Sequence, residues 1–220
     1  MYHAPGSNRL LERVIAEDAK FCFYLWDDER KEVVGGGHAS PATWDGNNAS
    51  LPDGGIDAVL EARFAEGAPG PNVLCALQIV IDPEYRGRGL SRRMIERMGE
   101  IGRDHGLETL IAPVRPTLKH RYPLAPMERY VDWRRPDGSH LDPWLRTHER
   151  LGAQIVKIAP QSFTVSGTVA EWEEWTDMAF PETGAYVVPG DALVPIEIDL
   201  ETDQGLYVEP NVWMVHSRLN

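Results

Sequence analysis

The feature that most constrains the fold is a strand, a glycine-rich turn and a helix that follow one another near the middle of the chain. Residues 73–81 are apolar at eight of nine positions, which is typical of a strand covered on both faces of a sheet. After Asp82-Pro83 and the turn Arg86-Gly87-Arg88-Gly89, apolar residues recur at helical spacing over 90–103. Because residues 107–114 predict another strand, the segment is a βαβ-like unit.

The flanking segments predict a sheet with helices around it. Helices are expected at 9–19, 56–64, 144–151 and after the capping-box pair Thr168 and Glu171, and strands at 21–26, 32–38, 155–165, 196–200 and 206–216. Pro210 in the last strand indicates a bulge or an edge position. The predicted fold class is therefore α/β with a mixed sheet.

Charge is distributed unevenly along the 220 residues. The formal net charge of −12 consists of −8 over residues 1–85, +5 over 86–150 and −9 over 151–220. A chain this acidic is a poor generic binder of nucleic acid or anionic membranes, so neither is expected as a partner. The basic middle segment would attract a phosphate-bearing ligand and the acidic flanks a cationic substrate, although solvated surface charge explains the same pattern.

Two thiols, Cys22 and Cys75, lie inside apolar runs. They exclude a disulfide scaffold and a thiolate-clustered metal site, and no metal cofactor is expected. No run of 18 apolar residues occurs, and the N-terminus lacks the charged and apolar regions of a secretion signal. We therefore expect a soluble, cytoplasmic protein.

The turn at 86–91 has the chemistry of a phosphate site. A helix N-terminus offers unpaired backbone N–H groups and a partial positive charge, and glycines let a diphosphate approach without interference from Cβ atoms. The turn is not a Walker A loop, because no Gly-Lys-Ser/Thr follows, and it lacks the third glycine of a dinucleotide fingerprint. A purely structural turn before a helix is the alternative.

Residues 79–91 resemble the acyl-CoA signature of the GNAT acetyltransferase superfamily, Q/R-x-x-G-x-G/A. Arg86 occupies the first motif position and Gly89 the fourth, whereas Ser91 replaces the usual small residue at the sixth. A second element, Thr147-His148-Glu149-Arg150-Leu151-Gly152-Ala153, is similar to a later helix of the family.

The resemblance spans about residues 21–165 and implies both a fold and a co-substrate. The implied fold is a GNAT-like mixed, mostly antiparallel central sheet flanked by helices, in a single domain over residues 1–220. Its parts are a core of about 21–165 plus the strand 206–216, a long insertion at 115–141 before the last motif helix, and a β-rich C-terminal appendage at 168–205. The implied co-substrate is acetyl-CoA or another acyl-CoA. Its pantetheine and pyrophosphate would contact Ile79, Val80, Ile81, Arg86, Gly87, Arg88, Gly89, Leu90 and Ser91.

The resemblance also implies catalytic groups. The frequent general acid of the family, a tyrosine on the later helix, aligns with His148, whose imidazole would protonate the departing thiolate. The base glutamate of some members aligns with Cys75, so no carboxylate is available there. His38 beside three glycines, Glu209 on the last strand and a chain of waters are the candidates for the base, and catalysis by positioning alone is the alternative. Packing of His148 within its helix is the non-catalytic interpretation.

The insertion is expected to roof the acyl or acceptor site, with Arg129, Tyr130 and Trp133 binding the acceptor. The segment before the first strand is short for the family. Either the natural start lies upstream, or a second subunit of a homodimer completes the cleft.

The predicted function is transfer of an acetyl or other short acyl group from acyl-CoA to an amine of a small-molecule acceptor, by direct attack in a ternary complex. The alternatives are a non-catalytic acyl-CoA-binding sensor or interaction module, and a phosphate-binding α/β enzyme outside this family. Acyl-CoA binding, with or without amine-dependent thiol release, separates the three.

Overall fold

Eight strands form one sheet in the computed structural model, which describes residues 5–217. In chain order the strands are β1 (Phe23–Asp27), β2 (Glu32–Ala42), β3 (Val73–Ile81), β4 (Leu110–Val114), β5 (Gln154–Gly167), β6 (Gly184–Tyr186), β7 (Ile196–Asp199) and β8 (Gln204–His216). The helices are α1 (Pro5–Glu17), α2 (Gly55–Arg63), α3 (Leu90–Asp104), α4 (Met127–Tyr130), α5 (Pro143–Arg150) and α6 (Val169–Thr176). Within the described residues, none of them has the length and apolar character needed to cross a membrane.

Most neighbouring strands of the sheet are antiparallel. The strand order is β1-β2-β3-β4-β8-β7-β6, and β5 pairs with β8 outside this path. β3 and β4 are parallel to each other, whereas the other paired strands are antiparallel. This confirms the mixed, mostly antiparallel sheet flanked by helices that the family resemblance implies.

The two parallel strands separate soon after they meet. Leu74 pairs with Leu110 and Cys75 with Ile111, and β4 then pairs along its whole length with the C-terminal end of β8. Beyond Cys75 the β4-facing edge of β3 has no strand beside it in the described part of the chain. The sheet therefore contains a gap between β3 and β4.

A second opening lies along β8. β5 pairs with one edge of β8 over most of its length, so β4 and β7 share the other edge. β4 pairs with residues 212–216 and β7 with residues 204–206. Among the described residues no strand pairs with this edge over residues 207–211. This stretch of β8 contains Pro210. The shift of register in β5 lies opposite this proline, so the predicted bulge or edge position is confirmed.

The two faces of the sheet are covered by different cores. On one face, Met98 of α3 packs in a cluster with Leu110. On the other face, Val59 of α2 and Trp213 of β8 pack in a cluster with Ile111. Because successive residues of a strand point to opposite faces, neighbouring residues of β4 enter the two cores in turn.

The insertion folds around one buried carboxylate. Asp142 is fully buried and accepts hydrogen bonds from the backbone N–H groups of Trp144 (2.8 Å), Leu145 (3.2 Å) and Leu118 (2.7 Å). It also accepts a hydrogen bond from the Tyr130 hydroxyl at 2.9 Å. Asp142 therefore caps α5 and fastens the beginning and middle of the insertion to that helix.

A buried lysine joins the insertion to the segment between β6 and β7. Lys119 Nζ donates to the carbonyl oxygens of Tyr122 (2.9 Å) and Leu193 (2.6 Å). The residue has no exposed surface, and burial lowers its pKa. This contact brings the start of the insertion close to residues 190–192, which border the cavity described next.

Candidate active site

A cavity of about 1300 Å³ occupies the gap between β3 and β4. Its lining includes Ile95 of α3, on one face of the sheet, and Ile56 of α2, on the other. It also includes Leu110 and Ala112 at the edge of the gap. The cavity therefore crosses the sheet, with one end at the glycine turn before α3 and the other at α2, β5 and β8.

Two glycines shape the end of the cavity at the start of α3. Gly87 and Gly89 have φ angles of 76° and 75°, and a Cβ placed on either would meet no described atom within 4 Å. Glycine is needed there for its backbone conformation rather than for close packing. Gly89 directly precedes α3, and no side chain of residues 5–217 caps the helix. The first backbone N–H groups of α3 are thus available to an anionic ligand.

Most of the residues predicted to contact the coenzyme line this cavity: Ile79, Val80, Ile81, Arg86, Gly87, Gly89, Leu90 and Ser91. Arg88 has other contacts. It donates to the Glu84 carbonyl at 3.0 Å, and its guanidinium lies 4.7 Å from the centre of the Tyr85 ring. The Tyr85 hydroxyl donates to the Asp27 carboxylate, which raises the pKa of Tyr85 to about 12. These contacts hold the turn against β1.

His148 of α5 lines the cavity and is almost fully buried. Its Nδ1 lies 2.9 Å from Nε2 of His216, whereas its own Nε2 has no hydrogen-bond partner among the described residues. Trp144 packs edge-on against the ring, with 4.4 Å between the ring centroids. Burial, and then the neighbouring His216, lower the pKa of His148 to about 3. His148 is therefore neutral at pH 7.

His216 is the partner that sequence reasoning missed. It lies fully buried on β8, paired in register with Leu110, and burial lowers its pKa to about 4. Two neutral imidazoles share one N–H in their mutual hydrogen bond, so Nε2 of His148 is a donor in one tautomer and an acceptor in the other. The alternation of β8 was the available signal, since it places His216 on the same face as Met214, which packs in a cluster with Leu145 of α5.

Glu209 lines the opposite end of the cavity but is not a free carboxylate. Arg115 Nε lies 2.9 Å and 3.0 Å from its two oxygens, and the Tyr207 hydroxyl donates to it at 2.6 Å. Arg115 also donates to the carbonyl of Asp191 at 2.5 Å, and the Tyr207 hydroxyl accepts from the backbone N–H of Leu193 at 2.9 Å. Burial, then Glu209, raise the pKa of Tyr207. These bonds favour a structural role for the Glu209 carboxylate over the role of catalytic base that the sequence suggested.

Two further buried polar residues line the same end of the cavity. Ser162 lies in the irregular part of β5, and Asn211 lies on β8 opposite Ala159. Among the described residues, neither the Ser162 hydroxyl nor Oδ1 of Asn211 has a hydrogen-bond partner. Ser162 packs on the first turn of α2, where a Cβ on Gly55 would lie 1.8 Å from its hydroxyl oxygen.

The remaining predicted site residues do not line the cavity. His38 is partly buried, and its ring meets that of Tyr24 edge-on with centroids 6.3 Å apart. Arg129 is exposed, and the fully buried Tyr130 contacts Trp133 at a ring distance of 5.1 Å. Arg129, Tyr130 and Trp133 therefore lie outside the cavity lining, and their contact with the acceptor stays a prediction. Arg115 and Thr117, at the start of the insertion, do line the cavity.

Comparison with known proteins places this geometry in a family context. Residues 2–125 match the model of the acetyltransferase (GNAT) family. The chain is 34% identical over 212 residues to the arginine N-acetyltransferase avaD of Aspergillus versicolor, with 86% of this chain and 72% of that protein covered. The loading GNATL domain of CurA from Lyngbya majuscula is similar in fold, with a TM-score of 0.61 at 19% identity over 95% of this chain and 82% of that domain. The GNAT-like decarboxylase GphF, solved with isobutyryl-CoA, has a TM-score of 0.56 at 18% identity over 96% and 84%.

Proposed function

The chain belongs to the acetyltransferase (GNAT) family, and from that premise we propose that this cavity transfers an acetyl group from acetyl-CoA to an amine of a small-molecule acceptor in a ternary complex. The catalytic interpretation is thereby favoured over a non-catalytic sensor. The observation that carries the proposal is a cavity that crosses the sheet, with a helix N-terminus at one end and buried polar groups at the other. Donor and acceptor can then enter from opposite faces and meet between β3 and β4.

The donor half of the site is built from backbone groups. The pyrophosphate of the coenzyme would accept hydrogen bonds from the first N–H groups of α3, where Gly87 and Gly89 keep side chains away. The pantetheine amides would pair with the edge of β3 that β4 leaves open beyond Cys75. This orientation brings the thioester into the gap beside His148.

Transfer joins the acceptor nitrogen to the acyl carbon and breaks the bond from that carbon to sulfur. Over the whole reaction one proton moves from nitrogen to sulfur. Because burial keeps His148 neutral, we assign the role of acid that the resemblance implies to its neutral imidazole, acting through Nε2. In the tautomer that carries the proton on Nε2, His148 donates to the departing sulfur, while its Nδ1 accepts from Nε2 of His216.

The acceptor we propose is arginine or a small amine of similar charge. The support comes from the name of the Aspergillus relative and from charged groups in the cavity lining. Asp57 of α2 is an acidic residue of this lining, and its negative charge suits a cationic group nearby. Arg115, whose side chain is 42% exposed, uses Nε for Glu209 and Nη2 for the Asp191 carbonyl, so Nη1 is the guanidinium nitrogen that would meet a carboxylate.

Release of free thiol from acetyl-CoA in the presence of single amines tests this function. We expect release to depend on the added amine, and mass spectrometry to show one acetyl group added to arginine. Agmatine, which lacks the carboxylate, should react with a higher KM. Thiol release that no amine accelerates would refute acetyl transfer, and equal KM values for arginine and agmatine would refute the contact to Arg115.

A further inference from the structure

We propose that Asn211 and Ser162 form the subsite that holds the attacking amine of the acceptor, an inference that rests on the proposed function. Both residues line the end of the cavity away from the glycine turn. Both belong to the ladder between β5 and β8, next to the irregular pairing between Ala159 and Phe163.

The first support is that two polar atoms are buried without partners. Asn211 is 6% exposed and Ser162 is 5% exposed, and neither Oδ1 of Asn211 nor the Ser162 hydroxyl has a hydrogen-bond partner among the described residues. Buried polar groups in native proteins are almost always paired, so an orphaned pair in a cavity wall indicates a ligand that completes it.

The neighbouring donors are already engaged. Arg115 and the Tyr207 hydroxyl both donate to Glu209, which leaves Oδ1 of Asn211 without either of them. An amide oxygen can only accept, so the ligand atom that faces Oδ1 of Asn211 must be a donor. A carboxylate or an ester oxygen of the acceptor would be repelled at this position, whereas an N–H group fits.

The chemistry of attack explains why two hydrogen-bond acceptors in the subsite are useful. A neutral primary amine has two N–H groups and one lone pair. If Asn211 and Ser162 each accept one N–H, the lone pair remains free to point toward the thioester in the gap between β3 and β4. The subsite therefore takes the nitrogen of a neutral primary amine, and orients it as well as binding it.

Two substitutions test the proposal, with Ser166→Ala as the matched control because Ser166 is an exposed serine on the same strand. Asn211→Leu and Ser162→Ala remove the orphaned atoms with little change in side-chain size. At saturating acetyl-CoA, we expect each variant to lower kcat/KM for the acceptor by about 10- to 100-fold, the size of effect seen when a substrate N–H loses its partner. The KM for acetyl-CoA should stay within about twofold of the original value.

Thermal unfolding separates this role from a structural one. An unpaired buried polar atom destabilises the free protein, so Asn211→Leu should raise Tm by about 2–4 °C while it lowers acceptor turnover. A lowered Tm would overturn the proposal, because it would show that Asn211 stabilises the fold through a protein contact.

A secondary amine supplies the last test. The unmodified enzyme should prefer a primary amine to its N-methyl derivative, which has one N–H fewer, and Asn211→Leu should lose most of this preference. If the unmodified enzyme turns over amines but the variant keeps both the acceptor KM and the preference, the subsite assignment fails and the acetyltransferase function stands. If the unmodified enzyme uses no amine, the proposed function itself fails.

Discussion

At the scale of single residues, the buried imidazole pair couples stability to pH. In the unfolded chain both histidines have the ordinary pKa of about 6.5, whereas in the folded protein the pKa of His148 is about 3 and that of His216 about 4. Between these values the unfolded state binds more protons, so the stabilising contribution is complete above about pH 6.5 and is lost as the pH falls toward 4 and then 3. We expect Tm to fall steeply below about pH 6.5.

Calorimetry from pH 4.5 to pH 8 checks this expectation. A double variant, His148→Phe with His216→Phe, should have a flatter dependence of Tm on pH below 6.5, because it has no imidazoles to protonate at this position. His120→Gln, in the partly exposed turn at Lys119–Arg121, serves as the control and should keep the original slope. An unchanged slope in the double variant would contradict the neutral, buried state of the pair.

The glycine turn allows a matched test of coenzyme binding. Gly89→Glu places a side chain and a negative charge beside the N–H groups that should receive the pyrophosphate, so we expect the Kd for CoA to rise at least 100-fold. Gly106→Glu is the control, because Gly106 has a φ of 76° and open space around it but follows the other end of α3. It carries the same backbone strain and should bind CoA almost normally by calorimetric titration. Equal affinities of the two variants would exclude the turn from the site.

Residue chemistry was easier to predict than residue partners. The glycines before α3 indicated an open helix N-terminus, and the alignment of His148 pointed to a residue that does line the cavity. Glu209 was also found from the sequence, but its ion pair with Arg115, 94 positions away, was not. Ser162 carried no signal, because its position depends on the irregular register that β5 adopts against β8.

At the scale of elements, the insertion depends on the carboxylate that caps α5. Asp142→Ala removes the acceptor of three backbone N–H groups and of the Tyr130 hydroxyl, in buried or partly buried surroundings. Loss of a helix cap costs about 1 kcal/mol, and orphaned buried donors add about 1–3 kcal/mol more, so we expect a loss of about 2–4 kcal/mol. Urea unfolding measures it.

Asp137→Ala provides the comparison within the same insertion. Asp137 is exposed and bonds to the nearby Ser139, so its loss should leave the urea midpoint almost unchanged. If the two variants had equal midpoints, the insertion would not be organised around Asp142.

Elements were predicted well where one periodicity governs them. α3 and β3 follow from helical spacing and from a continuous apolar run, and both were found with nearly the predicted bounds. The course of the insertion was not predictable, because its aromatic and basic residues suit a ligand-binding roof and a small core equally. Only the buried bond between Tyr130 and Asp142 decides between the two, and that contact is tertiary.

At the scale of the whole molecule, the cavity exists because β4 and β7 share one edge of β8. β8 is long enough to pair with β5 on one edge and with both β4 and β7 on the other. Because β4 pairs with β8, it separates from β3 beyond Cys75. Because β4 and β7 cover only the two ends of their shared edge of β8, no described strand pairs with this edge over residues 207–211. The same pairing therefore accounts for the openings at both ends of the cavity. Strand order and register are long-range properties, and a local pattern of apolar residues does not contain them.

Hydrogen exchange with and without acetyl-CoA tests that arrangement directly. In an antiparallel pair, alternate N–H groups of β3 point away from β2, and over residues 76–81 they face the gap, as do the first N–H groups of α3. These amides should exchange quickly in the free protein and become protected when the coenzyme binds. β6 and β7, which do not border the gap between β3 and β4, should exchange at unchanged rates.

Adding the acceptor to the complex should then slow exchange over 207–211, on the far side of the cavity. Protection that spreads evenly over all strands would mean general stabilisation by binding, whereas protection confined to the two openings requires a ligand that passes through the sheet.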